Sequence, residues 1–360
     1  MRIAIIGAGL SGLSCAHELE RYGISPVVFE NLDFIGDREP HITASLSIAD
    51  RPLPDTLKYY RSTCHLEINP VNTIKKLTHY TPGKKAIIKS DNFGYFFLRG
   101  KETDSLKRQI ASQLSSTEIR FGQKPDYRAL SKEYDFVVVA NALPGISKEL
   151  GCWKELISGW IKGGIVYGEF DPNELIMWLN RKYCKTGYAY LCPYDRQKAS
   201  LLLFVPYVAR KDIEYYWDRF LEIEDLKYKI AEEFSVEHFS GMAEPHKVDN
   251  IYLVGGAGGA ISPFLGFGQV NSISMGVFAA QSIVEGLDYE KLLKDIIKKE
   301  KAFYEIRKSF DELTNKGYDK LLSAIAFPGV KHLIYYTDLN VIKYSGKALR
   351  LKDKIHKKKK

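Results

Sequence analysis

The chain has 360 residues, 45% of them hydrophobic and 27% charged, which is enough for a large buried core and about two domains, in proportions ordinary for a soluble protein. It has no uninterrupted run of about 18 apolar residues, so no membrane-spanning helix is expected, and its five cysteines lack a C-x-x-C pair, which argues against a zinc site or disulfide scaffold and suits a reducing cytosol. The net charge of +8 is concentrated at one end, where residues 347–360 carry eight basic side chains against Asp353 alone; nucleic acid is not an expected partner, and the tail suits either solvent or the anionic headgroups of a membrane surface.

Residues 3–6, Ile-Ala-Ile-Ile, read as a strand that runs into Gly7-Ala8-Gly9-Leu10-Ser11-Gly12. A helix follows, with Leu13, Ala16 and Leu19 on its apolar face. Gly23 ends it, and a second strand at 26–29 stops at Glu30. Strand, glycine turn, helix, strand and terminal acid together make the dinucleotide-binding βαβ pattern. Gly7 suits the tight turn, Gly9 the close approach of a pyrophosphate, and Gly12 the packing of helix on strand. Free N–H groups at the helix start favour phosphate. Glu30 is placed to accept from the ribose hydroxyls of an adenosine, and its charge opposes a 2′-phosphate. The motif alone leaves FAD and NAD both open. The apolar N-terminus belongs to this unit and does not read as a signal peptide.

Arg38, just past Gly36-Asp37, is expected to reach the cofactor pyrophosphate with its guanidinium fork. Residues 64–68 and 85–88 read as strands. His41, His65 and His79 have no ligand spacing, so no metal site is expected. Residues 94–99 read as a strand ending in Arg99. Residues 103–114 fit a helix with Leu106, Ile110 and Leu114 on one face, and 117–121 a short strand. The apolar run at 134–141 marks a parallel strand covered on both faces. Asn141-Ala142 then lies at its carboxyl end, where open α/β sheets bind ligands.

From 151 to 248 tyrosine and tryptophan become frequent. Residues 165–170, 188–192 and 200–205 read as adjacent antiparallel strands, and 174–180 and 212–220 as helices. This region is expected to form the floor or wall of a substrate pocket. The strand-to-glycine pattern returns at 250–269, through Gly255-Gly256, Pro263, Gly266 and Gly268, and a helix follows at 270–285. Small residues cover much of that helix and call for a close neighbour. The glycine-rich stretch is too long and too interrupted by proline for a second phosphate loop. It suits a backbone laid along a flat ring and ending in a helix N-terminus, which would stabilise negative charge on a reduced flavin. Residues 289–316 read as helical and lysine-rich, and 321–325 and 330–336 add apolar and aromatic side chains.

Four of these stretches, in order, resemble the flavoprotein superfamily of para-hydroxybenzoate hydroxylase, and within it the geranylgeranyl reductases. They are Gly7-x-Gly9-x-x-Gly12 with Glu30; Tyr95-Phe96-Phe97-Leu98-Arg99 ahead of Leu106; Asp135 to Ala142, similar to the family strand ending in A-D-G; and Gly255 to Gly268, similar to G-D-A-x-x-x-x-x-P-x-x-G-x-G. In addition, Gly187 to Pro193 is similar to the reductases' Y-x-W-x-F-P strand. The resemblance implies an α/β fold: a Rossmann-type FAD-binding domain (1–60, 95–150, 245–290) interrupted by an antiparallel β-sheet substrate domain (61–94, 151–244), with a helical C-terminal region (291–360). It implies FAD held by Gly7, Gly9, Gly12, Glu30, Arg38, Arg99, Gly255, Gly256, Pro263, Gly266 and Gly268. It also implies an apolar or lipid-like substrate lined by Tyr188, Tyr190 and Pro193, and hydride transfer from reduced flavin to an isoprenoid double bond. The expected setting is cytoplasmic, peripheral to the inner face of a membrane through the basic tail. The electron donor and proton donor stay open.

Three departures stand out. Gly256 occupies the place of the family's ribityl-binding Asp, Asn141-Ala142 replaces Asp-Gly, and the archaeal reductases' cysteine motif has no counterpart. A second resemblance, of Gly7 to Leu13 with Gly36-Asp37-Arg38, is to the amine oxidase and phytoene desaturase opening. A flavin monooxygenase or oxidase acting on a small molecule is therefore an alternative, and so is a nucleotide-binding protein without redox catalysis.

Overall fold

The structure is a computed structural model and describes residues 1–346, apart from Pro54, Asp338 and 341–343. The basic tail at 347–360 lies outside the described residues. Two sheets organise the chain. The first begins with β1 (Ile3–Ile6) and β2 (Val27–Phe29). The chain then leaves to lay down β3 (His41–Leu46), β4 (Asn72–Thr81) and β5 (Lys84–Arg99) in the second sheet, and returns through the Leu106–Ala111 helix to β6 (Glu118–Arg120) and β7 (Phe136–Val139). A second excursion supplies β8 (Trp153–Tyr167), β9 (Glu174–Trp178), β10 (Tyr188–Pro193), β11 (Lys198–Pro206) and β12 (Lys229–Ala243). The hairpin of β13 (Lys247–Val248) and β14 (Ile251–Leu253) closes the first sheet.

The first sheet has the order β13-β14-β7-β1-β2-β6. Its pairs from β14 to β6 are parallel, with Ile3 opposite Phe136 and Ala4 opposite Val27. Its inner strands are apolar on both faces because helices cover both. The second sheet runs β12-β8-β11-β10-β9-β4-β5-β3 and is antiparallel except between β4 and β9. The doubly interrupted Rossmann architecture is thus as expected. The domain boundaries differ: β3 and the Tyr95–Arg99 end of β5, both assigned to the nucleotide domain, pair in the second sheet.

Helix α1 (Leu10–Arg21) buries Leu13, Ala16 and Leu19 completely, each leucine worth about 1.5–3 kcal/mol. It packs against the Gln269–Glu285 helix, which explains that helix's small residues. A Cβ on Gly276 would lie 2.1 Å from the Ser11 carbonyl oxygen, and one on Gly12 would lie 2.0 Å from that of Gly7. Two backbones and the phosphate-type loop therefore meet at a point where only hydrogen fits.

Two elements differ from expectation. Residues 64–68 alternate buried and exposed as a strand would, but no strand pairs with them. Two glutamine side chains take that place. Gln113 Oε1 accepts from Glu67 N (2.9 Å) and Gln109 Oε1 from Asn69 N (2.7 Å), and both carboxamide nitrogens donate back to carbonyls of the same residues. Residues 174–178 form strand β9, not a helix. The run Glu-Leu-Ile-Met-Trp is too short for its period to decide, and pairing with β4 on one side and β10 on the other settles it. The Ile213–Ile223 helix covers β10 and β11 with Trp217 and Phe220. From Tyr289 the described chain is helical: Tyr289–Leu292, Lys294–Asp311, Asn315–Ala326 and Pro328–Tyr335. Among the described residues no helix is long and apolar enough to cross a membrane.

Candidate functional site

A cavity of about 260 Å³ lies between the two sheets. At one end are Gly9, Leu10 and Ser11, the first turn of α1. At the other are Tyr188, Tyr190 and Phe204 of the second sheet. The α1 N-terminus has no side-chain cap and no acid in its first turn. Its first intrahelical bond runs from Leu13 N to Gly9 O (2.9 Å), so the preceding N–H groups project from the helix end toward the cavity. That is the environment a pyrophosphate needs. The Ile261–Gln269 segment crosses the cavity floor with Gly266 and Gly268 at its wall. The Gln269–Glu285 helix begins there, and its Gln269 Nε2 donates to Thr43 Oγ1 on β3 (2.6 Å).

Seven of the expected residues line this cavity: Gly9, Arg99, Tyr188, Tyr190, Gly256, Gly266 and Gly268. Gly7, Gly12 and Gly255 shape the turn behind it. Glu30 lies beyond the cavity lining and holds the glycine loop, its Oε2 accepting from Ala8 N (2.7 Å) and its Oε1 from Leu32 N (2.8 Å). Pro263 is buried in the loop behind the wall, and Pro193 is buried where β10 pairs with β11, so neither lines the cavity. Arg38 is exposed and does not line the cavity. Its neighbour Asp37 faces inward instead. Arg99 grips Asp37 with two bonds, Nε to Oδ2 at 2.6 Å and Nη2 to Oδ1 at 2.7 Å, and Lys107 Nζ adds a third contact at 2.8 Å. Burial pushes the Asp37 carboxyl up, but the Arg99 and Lys107 charges outweigh it and hold the group far below the usual carboxylate range. This wall carries two cations and one anion.

Two histidines line the same cavity: His41, read from the sequence only as lacking ligand spacing, and His238, which the sequence did not single out. Burial lowers His41 to about 4, with Arg99 acting in the same direction. Burial also lowers His238 to about 4, helped by Arg307. Both imidazoles are neutral near pH 7. His238 packs on Phe204 with ring centroids 4.7 Å apart, and the Tyr188 hydroxyl donates to the Leu265 carbonyl. Burial raises both Tyr188 and Tyr190, so these phenols stay protonated. One wall is charged and polar; the other, Ile161, Tyr188, Tyr190 and Phe204, is apolar and aromatic.

Behind the floor lies Glu300, whose Oε1 accepts from Asn271 Nδ2 (2.8 Å) and whose Oε2 has no partner. Burial raises it to about 7 from an ordinary 4.5. An acid raised in the folded state binds its proton more tightly there, so stability falls as pH rises from about 4.5 to about 7 and then levels. Glu300→Gln is expected to remove that decline and raise stability near pH 8 by about 3 kcal/mol. Urea unfolding at several pH values measures it, and parallel parent and variant curves would refute it.

Residues 5–42 match the family model of the NAD(P)-binding Rossmann-like domain. Among solved structures, the chain is similar to a geranylgeranyl bacteriochlorophyll reductase-like protein from Thermoplasma acidophilum (TM-score 0.74, 17% identity, covering 97% of this chain and 98% of that one). It is similar to the flavin-dependent brominase Bmp2 (TM-score 0.68, 14% identity, 100% of both chains). It is also similar to aklavinone-11 hydroxylase, solved with FAD and aklavinone (TM-score 0.56, 14% identity, 89% of this chain and 72% of that one). At these identities the likeness establishes a shared fold, one that serves reduction, halogenation and hydroxylation alike.

Proposed function

We propose that this chain is an FAD-dependent oxidoreductase and that it reduces double bonds of an isoprenoid or lipid-like substrate. The observation that carries this reading is a cavity that joins an uncapped helix N-terminus to an aromatic wall. The first turn of α1 would hold the pyrophosphate, and the Ile261–Gln269 backbone would lie along the ring system. The N-terminus of the Gln269–Glu285 helix would favour negative charge beside it. Bound FAD, once reduced, supplies a hydride. Ile161, Tyr188, Tyr190 and Phe204 exclude water and receive an apolar chain. Tyr188, with its proton committed to the Leu265 carbonyl, fixes the loop against that wall. His238, neutral and beside Phe204, offers one N–H and one acceptor nitrogen to a substrate.

The test begins with the visible spectrum of the purified protein after addition of FAD. The expected result is stoichiometric uptake with a flavin absorption band. Anaerobic reduction followed by addition of geranylgeraniol is then expected to reoxidise the flavin with loss of an alkene. A colourless protein that takes up no FAD would overturn the flavoprotein reading. Rapid reoxidation by oxygen with the alkene untouched would replace the reductase with a monooxygenase or oxidase.

A further inference from the structure

We propose that Glu300 is the charge-compensating proton site of this cavity, taking a proton from solvent when negative charge forms on the cofactor side of the floor and releasing it when that charge leaves. The inference rests on the flavoprotein reading. Glu300 stands on the Lys294–Asp311 helix and is 2% exposed. Its Oε1 accepts from Asn271 Nδ2, in the first turn of the Gln269–Glu285 helix, and its Oε2 has no hydrogen-bond partner among the described residues. That helix has no side-chain cap and no acid of its own in the first turn; Glu300 comes to it from another helix. Two cavities of about 10 Å³ border Glu300, each with room for about one water. The first shares Leu265, Phe267, Gly268 and Gln269 with the main cavity. That segment is the layer of chain between the carboxyl and the place proposed for the ring system. The second is bordered by His246, whose Nδ1 lies 3.0 Å from Oε2 of the half-exposed Glu290. This side gives the carboxyl a route to solvent that avoids the cofactor.

A helix N-terminus favours negative charge nearby, and here two groups compete for it: the Glu300 carboxylate and the charge on reduced flavin. Both at once repel each other through the floor. At an effective dielectric of about 20, charges separated by one layer of chain alter each other's ionisation about tenfold. A proton on Glu300 and a negative charge across the floor therefore favour each other. When an external two-electron donor reduces bound FAD with uptake of one proton, one negative charge is left on the cofactor side. Glu300 then takes a second proton from solvent, forming an O–H bond at its carboxyl. It releases that proton when the hydride and its charge leave. Packing does not account for an acid here, since glutamine would keep the Asn271 bond without a buried charge. The charged groups that face Glu300 are Lys299 and Asp50, paired with each other beside the first cavity (3.1 Å), and His246 at the second. Burial holds the carboxyl up against the Lys299 charge, so a neighbouring charge decides whether it ionises near neutrality.

Two measurements test this, on the parent and on Glu300→Gln. Infrared spectra without cofactor are expected to show in the parent the carbonyl stretch of a buried carboxylic acid, fading as pH rises through about 7. The variant is expected to lack it. The second measurement is the midpoint potential of bound FAD, titrated with dithionite from about pH 6 to about pH 9. Below about pH 6 Glu300 is neutral whether the flavin is oxidised or reduced, and the two potentials are expected to coincide. Above about pH 7 the parent takes up one extra proton per two electrons, so its potential falls more steeply with pH. Near pH 9 it is expected to lie about 30 mV below the variant, the equivalent of a tenfold coupling for a two-electron couple. Potentials that stay parallel across the range would overturn the proposal. So would a carboxylic acid signal that survives in the variant. A chain that takes up no FAD would overturn the flavoprotein reading and this inference with it, whereas FAD uptake with parallel potentials would overturn this inference alone.

Discussion

Gly256→Asp is expected to weaken FAD uptake at least tenfold, although an aspartate there would restore the family-like pattern. The reason is local. A Cβ at 256 would lie 2.3 Å from the Ala142 carbonyl oxygen and 2.8 Å from its carbonyl carbon. Both are backbone atoms, so no side chain can swing aside. The two segments are also tied together: Ala257 N donates to the Asn141 carbonyl (2.9 Å), and Ser147 Oγ donates to the Ala257 carbonyl (2.6 Å). Forcing a side chain between them costs about 1–3 kcal/mol of stability in addition to distorting the wall. Gly256→Ala is expected to do nearly the same damage, because the Cβ alone suffices. Ala142→Gly is not expected to rescue either variant, because the clashing atoms remain. Flavin fluorescence titration and thermal unfolding of the three variants measure this. Tighter FAD binding by Gly256→Asp with a normal midpoint would show that the 141–142 segment moves away when the cofactor enters.

The same contact shows what was legible in the sequence and what was not. Gly256 and Asn141-Ala142 read as two separate departures from a family pattern. In the structure they are the two sides of one contact, and only long-range packing reveals it. The βαβ opening was legible because all its parts are local: strand, turn, helix and acid fall within thirty residues. The alternation at Cys64, Leu66 and Ile68 correctly told which side chains are buried. It could not tell that glutamines rather than a strand would pair with them. Arg38 and Arg99 looked equivalent as cations near a cofactor. Which one faces inward depends on Asp37, which pairs across the boundary between the two sheets. His41 and His238 carried no local signal, since strands from distant parts of the chain bring them to one cavity.

The pairing at Asp37 predicts a larger loss of stability than the glycine contact does. Asp37 sits between Arg99 and Lys107, and all three side chains are mostly buried. Asp37→Ala leaves two cations close together with no counter-charge, a loss of about 3–5 kcal/mol. Asp37→Asn keeps an acceptor oxygen for Arg99 but not the charge, and is expected to lose somewhat less. The pH dependence follows from the depressed carboxyl. Its folded pKa lies well below the ordinary 3.8, so the ionised group contributes stability that is fully present above about pH 4. That contribution fades as pH falls through the acid range. The parent is therefore expected to lose stability on acidification more steeply than Asp37→Asn, and the gap between them should be widest near neutrality and narrow toward about pH 3. Arg99→Ala is expected to cost less than Asp37→Ala, because Lys107 still neutralises the remaining carboxylate. Urea midpoints across this range separate these outcomes. Equal midpoints for parent and Asp37→Ala near pH 7 would mean that the charged wall of the cavity is not held by this triad. A constant gap down to about pH 3 would mean that Asp37 stabilises the fold by packing and not by its charge.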